Sequence, residues 1–332
     1  MVQIKTPIAQ IKKKITAGII SGLSRGWSGY VWLLKILIPV SFGTFLLIWS
    51  GWLYRLDFLI QPAMGILSLP GEAALPLIIG ILTGIYGAIA AMAAMDMSVA
   101  HYTLIAIFLL ISHNLIQESI IQGQSGLNPF FAAFFRLAVS FVVTYTAAVF
   151  LDTSGPDISG SAAADLARDS SGFMAMFTSW LRDMAGLCIQ IFAIIMPLMI
   201  VLELMKIFNL IPYIVKAIHP VLALLGLSRA TGLLWLTAAV FGLSYGAAVI
   251  VEETRTQSFS RDELTRLHLS IGINHAMVED PALFLPLGIS PFWLWIPRFV
   301  AAVIVIYLFH FFNFFRRINA KRAVHKKFCN NR

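Results

Sequence analysis

Two short segments combine a histidine with carboxylate and amide side chains inside apolar sequence. The first is Ser112-His113-Asn114-Leu115-Ile116-Gln117-Glu118, and the second is Asn274-His275-Ala276-Met277-Val278-Glu279-Asp280. An imidazole can bind a metal ion or exchange a proton near neutral pH, and carboxylates suit the same two tasks. An ionisable side chain deep in a bilayer costs about 2.5–3.5 kcal/mol on insertion scales, so two such clusters indicate a functional site.

The candidate solute-binding residues are the polar positions of these segments and one arginine after each. They are His113, Asn114, Gln117, Glu118, Asn274, His275, Glu279, Asp280, Arg136 and Arg298. On a helix, residues four apart share a face, so we expect His113 to lie over Gln117, Asn114 over Glu118, and His275 over Glu279. The alternative is structural, with each histidine bonded to a freed carbonyl and each acid capping a helix.

Two further choices stay open at this point. An arginine in a dry setting needs a carboxylate or phosphate partner, so each arginine either binds an anion or pairs internally with Glu118 or Asp280. Imidazoles with carboxylates also suit Fe²⁺, Mn²⁺ or Zn²⁺. The ligands of such a metal site would be His113, Glu118, His275, Glu279 and Asp280.

The two segments belong to two copies of one longer pattern. Residues of the same kind recur in the same order at near-constant spacing. The matched positions are Pro39 and Pro197, Pro62 and Pro220, Tyr86-Gly87-Ala88 and Tyr245-Gly246-Ala247, His113 and His275, Glu118 and Asp280, Pro129-Phe130 and Pro291-Phe292, Arg136 and Arg298, and Tyr145 and Tyr307. Duplication with opposed orientation is how many secondary transporters build a site at the bilayer midplane. The glycines within the spans favour either close helix packing or an unwound segment.

Composition and charge set the class of protein and its orientation. The chain has 332 residues, of which 59% are hydrophobic and 12% charged, which is typical of a polytopic helical membrane protein. Its net charge of +8 lies at the two ends, so we expect contact with anionic lipids and no binding of nucleic acid. Both termini are predicted to be cytoplasmic, and the acidic middle connection external, in the inner (plasma) membrane of a bacterium.

These observations predict an all-α polytopic membrane protein of two inverted repeats. Each repeat has three transmembrane helices and one re-entrant helical hairpin, because the charge rule is satisfied only if the histidine segments dip in and return. The predicted parts are a basic amphipathic N-terminal helix (1–30), repeat 1 (31–151), an external linker (152–184), repeat 2 (185–313) and a basic cytoplasmic tail (314–332). A partly ordered basic arm is the alternative for the first part.

The second repeat also resembles a known family. The run from Gly242 to Glu253, followed by Asn274-His-Ala-Met-Val-Glu-Asp-Pro-Ala-Leu-Phe, is similar to the nucleoside recognition or gate domain. That domain is shared by concentrative nucleoside transporters, the membrane part of the ferrous-iron permease and spore maturation proteins. The resemblance is strongest over 233–308 and recurs over 75–149. It implies inverted repeats whose re-entrant hairpins cradle a solute between the polar positions of the two histidine segments.

The predicted function is secondary transport of a polar or anionic solute, such as a phosphorylated metabolite or a lipid headgroup. H⁺ or Na⁺ is the expected coupling ion, and no other cofactor is predicted. We do not expect an enzyme, because the Gly-rich phosphate loop and the His-Glu-x-x-His pattern are missing from the sequence. The alternatives are a divalent-cation permease and a non-transporting membrane partner, and a homodimer is left open as the assembly.

Overall fold

A computed structural model describes residues 7–50, 57–153, 170–256 and 259–330, and these ranges contain helices and no strands. The α-helices are α1 (Pro7–Trp49), α2 (Asp57–Gly65), α3 (Ala74–Thr83), α4 (Ile85–Met92), α5 (Val99–Ser112), α6 (Leu115–Gln124), α7 (Pro129–Ala148), α8 (Ser170–Ile207), α9 (Ile211–Ala217), α10 (His219–Leu224), α11 (Arg229–Thr256), α12 (Arg261–Asn274), α13 (Glu279–Phe284) and α14 (Pro291–Asn330). Short 3₁₀ turns at Gly71–Ala73 and Leu285–Leu287 precede α3 and follow α13.

Four stretches of the described chain are long and apolar enough to cross a bilayer: Val99–Gln124, Pro129–Ala148, Gly172–Ile207 and Pro291–Phe315. The prediction of an all-α membrane protein is therefore confirmed. The first stretch differs from the others, since 72% of an apolar 18-residue window within it is buried inside the protein, against 28%, 28% and 22% for the windows of the rest. It is also interrupted, because α5 has 14 residues and α6 has 10, and either length alone is short of the roughly 20 that a span needs.

Helix α1 runs without a break across residue 30, so the predicted surface helix and first span form one helix of 43 residues. It packs closely on α8 through small residues one turn apart, Gly18, Gly22 and Gly26. A Cβ added at Gly22 would lie 2.6 Å from the Cα of Ile200, so only glycine permits this approach. Of the predicted linker, residues 170–184 begin α8 and 154–169 lie outside the described residues. Of the predicted tail, α14 includes residues up to Asn330.

The duplication extends from the sequence to the backbone. Residues with positive φ occur at matching places in the two copies, where regular helices stop or turn. The matched pairs are Ser68 (φ 54°) and Gly226 (62°), Gly84 (101°) and Gly242 (77°), Asn114 (46°) and Ala276 (45°), and Gly126 (111°) and Gly288 (78°). The pairing of Gly84 with Gly242 puts the Tyr86–Tyr245 match of the sequence one residue out of register with the backbone.

In each copy, two helix breaks meet. Gly84 separates α3 from α4, and Gly242 kinks α11, so each copy contains a broken helix at this point. The N–H of Asn114 donates to the carbonyl of Gly80 (3.1 Å), and that of Ala276 donates to Ala238 (3.0 Å). Because a helix break frees carbonyls that lipid cannot satisfy, each break supplies the hydrogen-bond partner that the other needs.

Candidate functional site

Six ionisable side chains, three from each copy, meet inside the protein, and we call this cluster the hub. Its members are His113, Glu118, Arg136, His275, Asp280 and Arg298. They are 0–9% exposed, and both arginines are fully buried. The two imidazole rings lie at the centre, 4.9 Å apart between centroids and tilted by 36°. The pairing of His113 with His275, predicted from the repeat, therefore corresponds to direct contact.

Each hub histidine sits where a helix stops. Helix α5 ends at Ser112, His113 is extended (ψ 160°) and Asn114 is left-handed, while in the second copy α12 ends at Asn274 and His275 is extended (ψ 162°). The prediction that His113 lies over Gln117 and His275 over Glu279 is wrong, because neither segment is one continuous helix. In each copy the helix ends at the residue before the histidine.

The two arginines brace these breaks in the same way. Arg136 donates from Nε to the carbonyl of Ile111 (2.8 Å) and from Nη2 to that of His113 (2.8 Å). Arg298 donates from Nε and Nη2 to Ile273 (3.0 and 2.8 Å) and from Nη2 to His275 (2.8 Å). The sequence separations are 25 and 23 residues in both copies. A guanidinium offers five donors in a fixed fork, which suits the two carbonyls exposed by a helix that stops.

The carboxylates of the hub cross between the copies. His113 Nε2 lies 3.3 Å from Asp280 Oδ2, and His275 Nε2 lies 3.1 Å from Glu118 Oε2. Each imidazole thus faces the acid of the other copy, which is the reciprocal contact expected across a two-fold axis. Glu118 Oε1 is also 3.6 Å from His113 Nε2, and its Oε2 is 2.6 Å from Arg136 Nη2. The internal Arg136–Glu118 pair is the bracing alternative considered from the sequence.

The imidazole orientation follows from the other ring nitrogen. His113 Nδ1 is 2.9 Å from the carbonyl of Leu109, and His275 Nδ1 is 3.0 Å from that of Ile271. A carbonyl can only accept, so Nδ1 carries the hydrogen in both rings. When each ring is neutral, its Nε2 therefore presents a lone pair to a carboxylate oxygen. In the described chain, His113, His275 and Asp280 form a group with one ligand atom each, all within 4.8 Å of one another.

The other predicted site residues lie around the hub or away from it. Glu279 accepts a 2.6 Å hydrogen bond from Tyr86 of the first copy, and Asn114 places its amide against Gly84. Asn274 is buried with both amide atoms lacking a hydrogen bond, whereas Gln117 is exposed. Sequence reasoning missed the roles of Gly84 and Tyr86. The signal for Tyr86 was present, since a phenol in an apolar span needs a polar partner.

Removing the Tyr86 hydroxyl should loosen the contact between the copies. Hydrogen bonds to charged groups contribute about 1.5–3 kcal/mol, and because Glu279 is half-buried we expect Tyr86→Phe to cost about 1 kcal/mol. Thermal unfolding in detergent measures the loss. Adding Glu279→Gln in a double-mutant cycle should change stability less in the Tyr86→Phe background than in the original chain. Purely additive losses would contradict a direct bond.

Comparison with known proteins supports the membrane class and leaves the gate-domain resemblance as a prediction. No protein-family model matches the chain. No solved structure matches it either. A curated relative, the "uncharacterized membrane protein YvoD" of Bacillus subtilis (strain 168), is 31% identical over 304 residues, which cover 89% of this chain and 93% of the relative. The chain belongs to the family of this YvoD membrane protein.

Proposed function

We propose that the protein is a secondary transporter whose substrate site is the hub and which works by alternating access. The observation that carries the proposal is the reciprocal contact at the centre, in which His113 faces Asp280 while His275 faces Glu118. A site built equally by two copies can be opened from either copy. Buried ionisable groups within a membrane are costly, and the presence of three such groups in each copy favours a role in moving a solute or ion.

The inverted, re-entrant arrangement is part of this proposal. Helices α5 and α6, and likewise α12 and α13, are too short to span singly and are divided by a left-handed residue. The burial of Val99–Gln124 suits a hairpin enclosed by protein, where interrupted backbone is tolerated in a membrane. Cations at the chain ends favour cytoplasmic termini and an external 152–184 connection.

Inversion predicts that equivalent positions of the two copies lie on opposite sides of the membrane. Asn128 and Ser290 are such a pair, each exposed directly before the proline that begins the last long helix of its copy. In a background lacking Cys188 and Cys329, an impermeant maleimide added outside cells should label Ser290→Cys. It should label Asn128→Cys only after permeabilisation. Labelling of both from one side would overturn the inversion.

Alternating access predicts that the hub is reached from both sides at different times. Ser112 precedes His113 and is fully buried, so Ser112→Cys is a small change next to the site. A small hydrophilic thiol reagent should modify it in right-side-out and in inverted vesicles. Ala106→Cys is the matched control, since Ala106 is equally buried on the same helix within the apolar core, and it should react in neither. Reaction of Ser112→Cys from one side only, or from neither, would contradict the proposal.

A polar or anionic solute is one candidate for the transported substrate. Arg136 Nη1 and Arg298 Nη1 are buried without a hydrogen-bond partner, so each guanidinium has a donor to offer an anion. The other nitrogens of both guanidinium groups donate to backbone carbonyls, and Arg136 also pairs with Glu118. These contacts favour a structural role for both arginines, in which they hold the helix ends in place. Coupling to H⁺ or Na⁺ remains a prediction, as does a homodimer.

A further inference from the structure

We infer that the hub binds a divalent first-row transition-metal ion, with His113 Nε2, His275 Nε2 and Asp280 Oδ2 as ligands and Glu118 as the fourth group. This inference rests on the proposed function in treating the ion as the transported substrate. The binding itself follows from the geometry of the hub, and it is tested separately from transport.

The first argument is the direction of the lone pairs. Both Nδ1 atoms are committed as donors to the carbonyls of Leu109 and Ile271, so both Nε2 atoms face the carboxylates as acceptors. Each Nε2 lies 3.1 or 3.3 Å from a carboxylate oxygen, and two acceptors at that distance repel each other unless a proton or a metal ion lies between them. A hydrogen bond from Nδ1–H to a backbone carbonyl is also the usual outer-shell arrangement of a metal-binding histidine, because it fixes the tautomer and raises the basicity of Nε2.

The second argument is distance. Metal–nitrogen and metal–oxygen bonds of about 2.0–2.2 Å place two ligand atoms of a tetrahedral ion about 3.3–3.6 Å apart. The separation of His113 Nε2 from Asp280 Oδ2 (3.3 Å) lies in that range, and that of His275 Nε2 from Glu118 Oε2 (3.1 Å) is slightly shorter. The three proposed ligand atoms lie within 4.8 Å of one another, so small side-chain movements bring all of them onto one ion.

The third argument is that two of these atoms lack any other partner. His275 Nε2 and Asp280 Oδ2 are buried and make no hydrogen bond, although unpaired buried polar atoms are costly. A bound ion would satisfy both. A proton shared between one imidazole and the carboxylate it faces would satisfy a single pair, whereas one divalent ion accepts the lone pairs of both imidazoles at once.

The donor set also selects the class of metal. Two imidazoles with carboxylate oxygens suit Mn²⁺, Fe²⁺, Co²⁺ or Zn²⁺, whereas Mg²⁺ and Ca²⁺ prefer oxygen ligands alone and Cu⁺ prefers sulfur. Glu279, which the sequence placed in the ligand set, is instead bonded to Tyr86 and is not in the group that converges. The proposed metal site therefore includes four of the five residues considered from the sequence.

Binding is tested on the purified full-length protein after treatment with a chelator. Zn²⁺ should raise the melting temperature of the original chain in a concentration-dependent way, while excess Mg²⁺ should not. The apparent Kd for Zn²⁺ should be at least tenfold higher in His275→Gln and in Asp280→Asn. It should be unchanged in His219→Gln, which removes an exposed histidine on α10. Absence of a Zn²⁺ effect, or an equal effect in all four proteins, would overturn the inference.

Two further measurements keep the test decisive. If His275→Gln does not fold, Co²⁺ bound to the original chain should show the strong visible absorption of a four-coordinate site, and Asp280→Asn should alter it. Weak octahedral absorption would count against the ligand set. Uptake of Zn²⁺ into liposomes enclosing a metal-sensitive dye then separates the proposals. Binding without uptake, with Ser112→Cys unreactive, makes the metal structural and refutes transport. Alternating reactivity of Ser112→Cys without Zn²⁺ binding keeps transport and refutes the metal.

Discussion

Replacing Arg136 with methionine should destabilise the protein more than any other single change in the hub. The side chain is fully buried, pairs with Glu118 at 2.6 Å and bonds two carbonyls at the end of α5. Removing one partner of a buried ion pair costs about 3–5 kcal/mol, because the other charge stays buried and unpaired. Loss of the carbonyl partners adds to this. We therefore expect a large fall in melting temperature in detergent, and poor recovery of folded protein.

A second-site change separates the two contributions. Glu118→Gln removes the stranded charge, so Arg136→Met with Glu118→Gln should be more stable than Arg136→Met alone, although still weaker than the original chain. Arg298→Met is the matched control. Its guanidinium makes the equivalent carbonyl bonds, but no carboxylate of the described chain lies within ion-pair distance of it. Glu118→Gln should therefore give no rescue there. Equal rescue in both backgrounds would contradict the specific Arg136–Glu118 pair.

The membrane class could be predicted from the sequence, and the six hub residues are all among its ten candidate site residues, for physical reasons. Ionisable residues in an apolar chain are few, and each must find a polar partner, so those repeated in both copies are constrained to meet. The pairing of His113 with His275 came from the repeat alone. The choice between anion binding and bracing for Arg136 could not be made from the sequence, because it depends on which carbonyls the end of α5 leaves free.

The positions of the helix breaks were the main feature that the sequence did not reveal. Nothing in Ser112-His113-Asn114 is a strong helix breaker, and Ala276 is a good helix former, yet Asn114 and Ala276 are both left-handed. Those conformations are imposed by tertiary contacts, namely the donation of each backbone N–H to a carbonyl of the preceding broken helix and the arginine bonds to the residue before it. Local propensity is a weak guide where distant partners fix the backbone.

Replacing Gly84 with alanine should test whether the broken helices depend on glycine. Gly84 has φ 101° and ψ 177°, a conformation open in practice only to glycine, and forcing another residue into it costs about 1–3 kcal/mol. An added Cβ would also lie 2.8 Å from the Asn114 amide nitrogen. We expect Gly84→Ala to lower the melting temperature substantially. Adding Asn114→Gly should recover only the part due to the side-chain contact.

The second copy and a plain helix provide the matched controls. Gly242 has the same kind of backbone (φ 77°, ψ 169°), but its added Cβ would meet Ala276 Cβ at an ordinary 3.6 Å, so Gly242→Ala should cost the strain without the clash. Gly29 lies within α1 with nothing within 4 Å of an added Cβ, and alanine there should be neutral or stabilising by up to about 1 kcal/mol. Losses should therefore rank Gly84→Ala above Gly242→Ala above Gly29→Ala. If Gly84→Ala matched Gly29→Ala, the break after α3 would not require glycine, and the hub would have to be positioned by the arginine bonds alone.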